Sequence, residues 1–395
     1  MTRISVKRGR HPGNRINGGT KRLMAVICAF SITFGALCGC GSAATDTVGT
    51  AKSASGAANL ETTAEASENT TKREFTDSVG RVVEVDANIT RIVPSGPLAQ
   101  MVLFSLAPDK MTALATDWSA EAGEYLDTAY YKLPVLGQLY GGSSDINLEE
   151  LSKVDPQVVI DVGESKSTIV QDMDDIQNQT GIPCVHIEAS LSDMGNAYRM
   201  LGDLLGMKDE AETLASYCEN TYSMALNTMA EIGDANKKKV VYCVGEDGLY
   251  VIAKGSYHAE VLDLIGDNAA VVDNPTSKGT GNEIDMEQLM LWDPDVIIFA
   301  PGSIYSDVAN DRAWQNLKAI QNKTYYEVPY GPYNWMGSPP SVNRYLGIQW
   351  MLKLLYPDRV SYDMYQVTKE YYQMFYHCSL TEEQYQKLTK NSLEQ

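Results

Sequence analysis

Histidine and cysteine are scarce in this chain: its 395 residues include four histidines and seven cysteines. Beyond residue 40 only His186, His258, His377, Cys184, Cys218, Cys243 and Cys378 remain, scattered and without metal-ligand spacing. That disfavours a first-row metal site built of histidine clusters. It also disfavours a disulfide framework as what holds so large a body together, although one bridge stays open. Gly-x-Ser-x-Gly, His-Glu-x-x-His and a glycine-rich phosphate loop with lysine are absent, so enzyme chemistry lacks its usual signatures. Basic residues are few, 32 against 51 acidic ones, for a formal charge of -19. Seven of the 32 precede the first acidic residue, Asp46, which leaves 25 basic against 51 acidic residues for the rest. A body so acidic lacks the clustered Lys/Arg of a nucleic-acid footprint and is repelled by an anionic membrane surface. The apolar run at residues 23–37 (LMAVICAFSITFGAL) is fifteen residues long, where a spanning helix needs about 20.

What is present begins with a targeting signal. A basic start, the short apolar run and the sequence Leu37-Cys38-Gly39-Cys40 resemble a bacterial lipobox, with residues 1–39 as signal peptide and Cys40 as the lipid-modified first residue of the mature protein. Residues 41–73 carry 22 Gly, Ser, Ala or Thr in 33 positions. Such a stretch cannot offset its ordering entropy by burial, so residues 40–73 read as a disordered tether. As a flexible coil it would reach about 30 Å.

From Glu74 the texture changes to apolar runs bounded by Pro, Gly and Asp. Residues 81–85 (an edge strand), 91–93, 158–160 and 185–187 read as strands and residues 98–106 as a helix. Strands alternating with helical segments imply a parallel sheet covered by helices. An internal repeat is the most informative feature: Asn147-Leu-Glu-Glu-Leu151 with Asp155-Pro-Gln-Val-Val-Ile160 returns as Asp285-Met-Glu-Gln-Leu289 with Asp293-Pro-Asp-Val-Ile-Ile298, at a constant offset of 138. Each copy reads as helix, Asp-Pro turn and buried strand, hence two related α/β lobes. Between the copies, residues 208–232 lack Gly and Pro and carry Leu214, Cys218, Tyr222, Ala225, Met229 and Ile232 at spacings of three and four. A 25-residue helix there would be about 37 Å long, enough to join the lobes. Further strands are expected at 239–244, 249–252, 296–299 and 324–328, with helices at 257–265, 342–355 and over the tail at 362–388. The domain division is then 74–200, a first α/β lobe; 201–235, the connecting helix; 236–360, a second α/β lobe; and 361–395, a helical tail.

These residues, in this order, resemble the class III (cluster A) substrate-binding lipoproteins of ABC importers, which take ferric siderophores, haem, cobalamin or, in one branch, molybdate or tungstate. The resemblance rests on Thr76-Asp77 with Gly80-Arg81, Arg91-Ile-Val93, Leu133-Pro-Val-Leu-Gly137, both helix-Asp-Pro-strand units, Gly255-Ser256 with Glu260, Ser341-Val-Asn-Arg344, Leu346-Gly347 and Leu354-Leu-Tyr-Pro357. It implies two parallel-sheet, Rossmann-like lobes joined by one long backbone helix, a ligand cleft between them, little hinge motion and no enzymatic activity. It also implies lobe-tip glutamates that dock on the permease, with Glu260 at that position in the second lobe. In the first lobe Met101, preceded by Gln100, stands where the family usually has Glu.

Ligands of such sheets sit beyond the carboxyl ends of strands, where helix N-termini also point. Those positions hold Trp118, Tyr140, Tyr305, Tyr333, Trp335 and Arg344, our candidate ligand residues, with core packing an alternative for Trp118 and Tyr140. Three rings covering about 100 Å² each would give roughly 7 kcal/mol, against an association cost of 4 to 15 kcal/mol, so polar groups must contribute. Arg344 can pair bidentately with an anion or instead form a salt bridge inside its lobe. The paired tyrosines at 130–131, 325–326 and 371–372 invite comparison with binders of bare ferric ion, but direct iron ligation is not expected: strand neighbours point to opposite faces, so Tyr325-Tyr326 would pack one ring and expose the other. The function expected is capture of a metal chelate (ferric siderophore, haem or corrinoid) for an ABC permease by a monomer, with neither resident cofactor nor metal, lipid-anchored on the outer face of the cytoplasmic membrane. An oxyanion (molybdate or tungstate) binder of the same fold is the alternative, and a surface hydrolase using Ser, His and an acid is the rival from another class.

Overall fold

The computed structural model describes residues 71–139 and 148–393. The expected signal peptide, Cys40 and Tyr140 lie outside the described residues. The body begins with β1 (Lys72–Thr76) and β2 (Val82–Asp86), an antiparallel pair closed at a turn where Asp77 Oδ1 accepts from the amides of Val79 and Arg81. β1 reaches two residues into the segment expected to be tether, because its polar side chains find partners: Lys72 pairs with Asp86 at 2.6 Å, and Arg73 donates to the Asp203 carbonyl at 2.7 Å.

The first lobe follows with β3 (Ile92–Pro94), α1 (Pro97–Leu106), α2 (Leu148–Val154), β4 (Val158–Gly163), α3 (Ile169–Thr180), β5 (Cys184–Glu188) and α4 (Met194–Leu205). Its sheet is parallel, in the order β3-β4-β5. Ile92, Val158 and Val185 face one apolar cluster and Val93, Val159 and Cys184 another, which is why these strands read as unbroken apolar runs.

α5 (Lys208–Ile232) then carries the chain across. It packs on α1 and α4 of the first lobe, and on α6 (Glu260–Ile265) and α9 (Asn343–Leu355) of the second. Its buried stripe is Ala211, Leu214, Ala215, Cys218, Thr221, Ala225, Met229 and Ile232; Tyr222 lies at its edge, half-buried. Small residues bring α4 close, since a Cβ at Gly202 would stand 2.5 Å from that of Ala211.

The second lobe contains β6 (Lys239–Val244), β7 (Tyr250–Val251), β8 (Asp267–Asn268), β9 (Asn282–Glu283), α7 (Met286–Trp292), β10 (Val296–Phe299), α8 (Lys318–Gln321) and β11 (Tyr325–Glu327) besides α6 and α9. β11, β10, β6 and β8 pair in parallel, and β7 and β9 extend the sheet as an antiparallel edge. The internal repeat is visible in the backbone: α2 and β4 match α7 and β10, and the turn residues Asp155 and Asp293 share the same left-handed conformation, φ 43° and 44°.

The tail forms two helices, α10 (Met364–Phe375) and α11 (Glu382–Thr389), rather than one. The break holds His377 at φ 54°, after which Thr381 and Gln384 form a capping box that starts α11. The four cysteines of the body are free thiols. Burial raises their pKa values, those of Cys184 and Cys378 to about 12, so none supplies a thiolate near neutrality. Among the described residues no helix is long and apolar enough to cross a membrane.

Candidate functional site

A cavity of about 410 Å³ opens between the lobes. The first lobe contributes Ser95, Gly96 and Pro97, where β3 meets α1, and Gly163 and Glu164 at the end of β4; the second contributes Tyr257, His258, Lys278 and the Pro339-Pro340 turn. The cleft thus lies beyond the carboxyl ends of the strands. α1 opens with Gly96 as its cap and no side chain bonded to its first amides, so its positive end faces the cavity. A second chamber of about 310 Å³, lined by Tyr242, Tyr330, Asn334 and Gly337, meets the first at His258 and Gly279. His258 shares its Nδ1 with the Gly337 carbonyl at 3.0 Å. Burial lowers its pKa.

The floor of the cleft is a buried polar chain. Asp161, on β4, accepts from Ser95 Oγ through one oxygen and stands 2.6 Å from His186 Nδ1, on β5, with the other. His186 Nε2 lies 3.0 Å from Ser165 Oγ, and His186 N donates to Asp77 at 3.3 Å. Ser165, His186 and Asp161 therefore stand in the contact order of a hydrolase triad, which no spacing in the sequence announced. Their setting differs from one: His186 is fully buried, and Ser165 turns inward while its neighbours Glu164 and Lys166 line the cleft. The signal that could have revealed the chain is Asp161 itself, an acid inside an apolar strand whose counterpart 138 residues on is Phe299.

The expected ligand residues that the structure describes lie elsewhere. Trp335 is fully buried in the core. Trp118 and Tyr333 pack on each other with centroids 5.8 Å apart, and Trp118 packs on Phe104 as well. Tyr305 lies against Phe299 and Tyr325 on the outer face of the second sheet. Tyr325 and Tyr326 point to opposite clusters. Of the rings on the proline-bearing loop at residues 330–340, only Tyr330, 36% exposed, lines a chamber. Rings on a rigid loop serve a core as well as a ligand, and spacing does not distinguish the two.

Arg344 takes its intramolecular role. Its guanidinium is fully buried, paired with Glu260, bonded to the Tyr257 carbonyl at 3.3 Å and set over the Tyr257 ring at 4.8 Å. It lies behind the cleft wall rather than in the cleft. Glu260, placed at the docking position, is thereby engaged: one oxygen meets Arg344 and the other accepts from the Leu191 amide at 3.4 Å. Tyr257 donates to the Ala189 carbonyl at 2.5 Å and Tyr345 to that of Leu191 at 2.7 Å, so this cluster ties the second lobe to the loop after β5. Met101 is also core. Gln100 is buried, accepting from Ala115 and Thr116 and reaching Tyr333, which explains why no exposed acid stands there.

The periplasmic binding protein family matches residues 102–330, more than half of the chain. The chain belongs to that family. Among curated relatives of this periplasmic binding protein, the molybdate-binding protein MolA of Haemophilus influenzae is 23% identical over 78% of this chain and 92% of its own length. The Fe(3+)-citrate-binding protein YfmC of Bacillus subtilis is 25% identical over 47% of this chain and 58% of its own. Among solved structures, an ABC transporter solute binding protein from Sulfurospirillum deleyianum is 27% identical, covers 80% of this chain and 99% of its own, and superposes with a TM-score of 0.73. The two-lobed α/β architecture with its cleft is thus the family's own. Among the described residues no group of three His, Cys, Asp or Glu could hold a metal ion.

Proposed function

We propose that the protein is the extracytoplasmic solute receptor of an ABC importer, and that its solute is a metal chelate. The carrying observation is the cleft between lobes, roomy at about 410 Å³, open to a second chamber through His258 and lined from both sides. Its mixture of Tyr257, Tyr330, prolines, lysines and free amides suits a partly apolar, anionic complex. The names of the relatives, a molybdate binder, a ferric citrate binder and an ABC solute binder, support the reading. A signal peptide at 1–39, lipid on Cys40 and a tether over 40–73 would moor a monomer to the outer face of the membrane, with the lobes at 74–200 and 236–360 presenting solute to the permease. It would work without catalysis. Capture of a small oxyanion is the second reading, favoured by the bare amides of α1 at the cavity and by the similarity to MolA.

The test is thermal and chemical unfolding of the purified protein with ferric siderophores, haem, cobalamin, ferric citrate, molybdate and tungstate. A true ligand at 100 times its Kd stabilises by about 2.7 kcal/mol. Stabilisation by chelates supports the main reading, and by molybdate or tungstate alone the second. No stabilisation by any of them, or turnover of simple esters abolished by Ser165→Ala, would sink the receptor.

A further inference from the structure

Asp161 is a carboxylate in the cleft floor, 4% exposed, and it lies beside the α1 N-terminus where an anion would settle. While Asp161 is ionised and His186 neutral, the pair carries one negative charge. The Ser95 proton is then spent on Asp161, so Ser95 turns only lone pairs toward the cavity. An anion entering meets repulsion, and Ser95 offers it no hydroxyl donor. Adding one proton to the pair removes that charge, and the surroundings are built to accept it. Ser165 is a hydroxyl at 3.0 Å from His186 Nε2, able to donate to a neutral ring and to accept from a charged one by rotation alone. If the proton settles on Asp161 instead, the acid donates and frees Ser95 to donate into the cleft.

Resting on the receptor reading above, we propose that this chain is a proton-loaded selector: the solute bound is anionic at the arm that enters the first lobe, and its capture takes up one proton on the Asp161–His186 pair. The other charges around the pair are accounted for. Asp77 faces the backbone of His186 and is held by Arg81 at 3.0 Å. Cys184, the neighbour of Val159 across the sheet, is kept as a neutral thiol by burial. Glu164 and Lys166 lie at the rim, with Tyr257, His258 and Lys278 opposite. Binding and protonation are linked, so affinity rises as pH falls, by at most about tenfold per pH unit for one proton.

Calorimetry with molybdate, ferric citrate, haem and cobalamin, run between pH 6 and 8 in buffers of different ionisation enthalpy, counts the protons taken up by the intact protein. The expected result is an uptake approaching one with an anionic probe and an affinity that climbs toward pH 6. Asp161→Asn should flatten the pH dependence and match or exceed the wild-type affinity at pH 8. Ser165→Ala, a milder change, should reduce uptake while the fold persists. Anion binding with no proton uptake, or binding of cobalamin alone, overturns the selector and leaves the receptor standing. Failure of every probe to bind overturns both.

Discussion

Replacing Arg344 by alanine is expected to cost the fold about 3 to 5 kcal/mol, the range for breaking a buried ion pair from one side. The guanidinium has no solvent exposure, while the Glu260 side chain is 27% exposed, so water recovers part of the charge left behind and the value should fall toward the lower end. Three further hydrogen bonds go at once, to the Tyr257 carbonyl, the Tyr257 hydroxyl and the Ser341 carbonyl, although the hydroxyl keeps Ala189 and the Ser341 carbonyl keeps the amide of residue 344. Glu260→Gln should cost less, because its amide keeps an acceptor for Leu191 and the site stays filled. Urea unfolding monitored by circular dichroism checks both. A loss under about 1 kcal/mol for Arg344→Ala would mean that the pair is not what holds this wall of the cleft.

Gly347→Ala is expected to destabilise by about 2 kcal/mol or more. On propensity alone alanine gains about 1 kcal/mol inside a helix, so the sign is set by packing. A Cβ on Gly347 would run into the carbonyl oxygen of Trp335, with the carbonyl carbon 3.1 Å away and Met336 Sδ at 3.6 Å. These are mostly backbone atoms and cannot swing aside; α9 is buried on nearly all its faces, so the helix has no room to retreat. Overpacking of this kind costs about 1 to 3 kcal/mol and occasionally more. Because the displaced segment continues into Gly337 and Ser338 of one chamber and Pro339 and Pro340 of the other, ligand affinity should fall with stability. A melting temperature at or above that of the wild type would show that the loop yields freely.

Much of the architecture is legible in the sequence because it is written in periodicity. Residues 208–232 hold apolar side chains on one stripe without a breaker, and α5 starts and stops at those two residues. The repeated Asp-Pro turns forecast paired units, and both turns fold alike. What escaped were elements too short to have a period, such as β8 and β9, and the break after Tyr376 that divides the tail. The site was less legible. The cleft walls at Ser95 to Pro97 and Gly163-Glu164 follow from strand ends, whereas the direction in which a loop ring points depends on tertiary packing. Trp335 and Tyr333 went inward for that reason. Tyr257 and His258 came into the wall because α6 is anchored across the gap through Ala189 and Leu191.

The tail has a consequence for signalling. His377 reaches the Phe104 carbonyl, Gln384 and Lys387 clasp Glu124, and Ser392 bonds Glu327 and Trp350. With α5 this gives the polypeptide two passages between its halves, besides the tie at Ala189 and Leu191. Wide opening would require dismantling several of these seams together. Cargo therefore cannot announce itself to a transporter by a change of silhouette, and small-angle scattering curves of empty and loaded protein should superimpose. Recognition of the loaded state falls to the rim, where the transporter would have to touch the cargo or the few side chains that move with it.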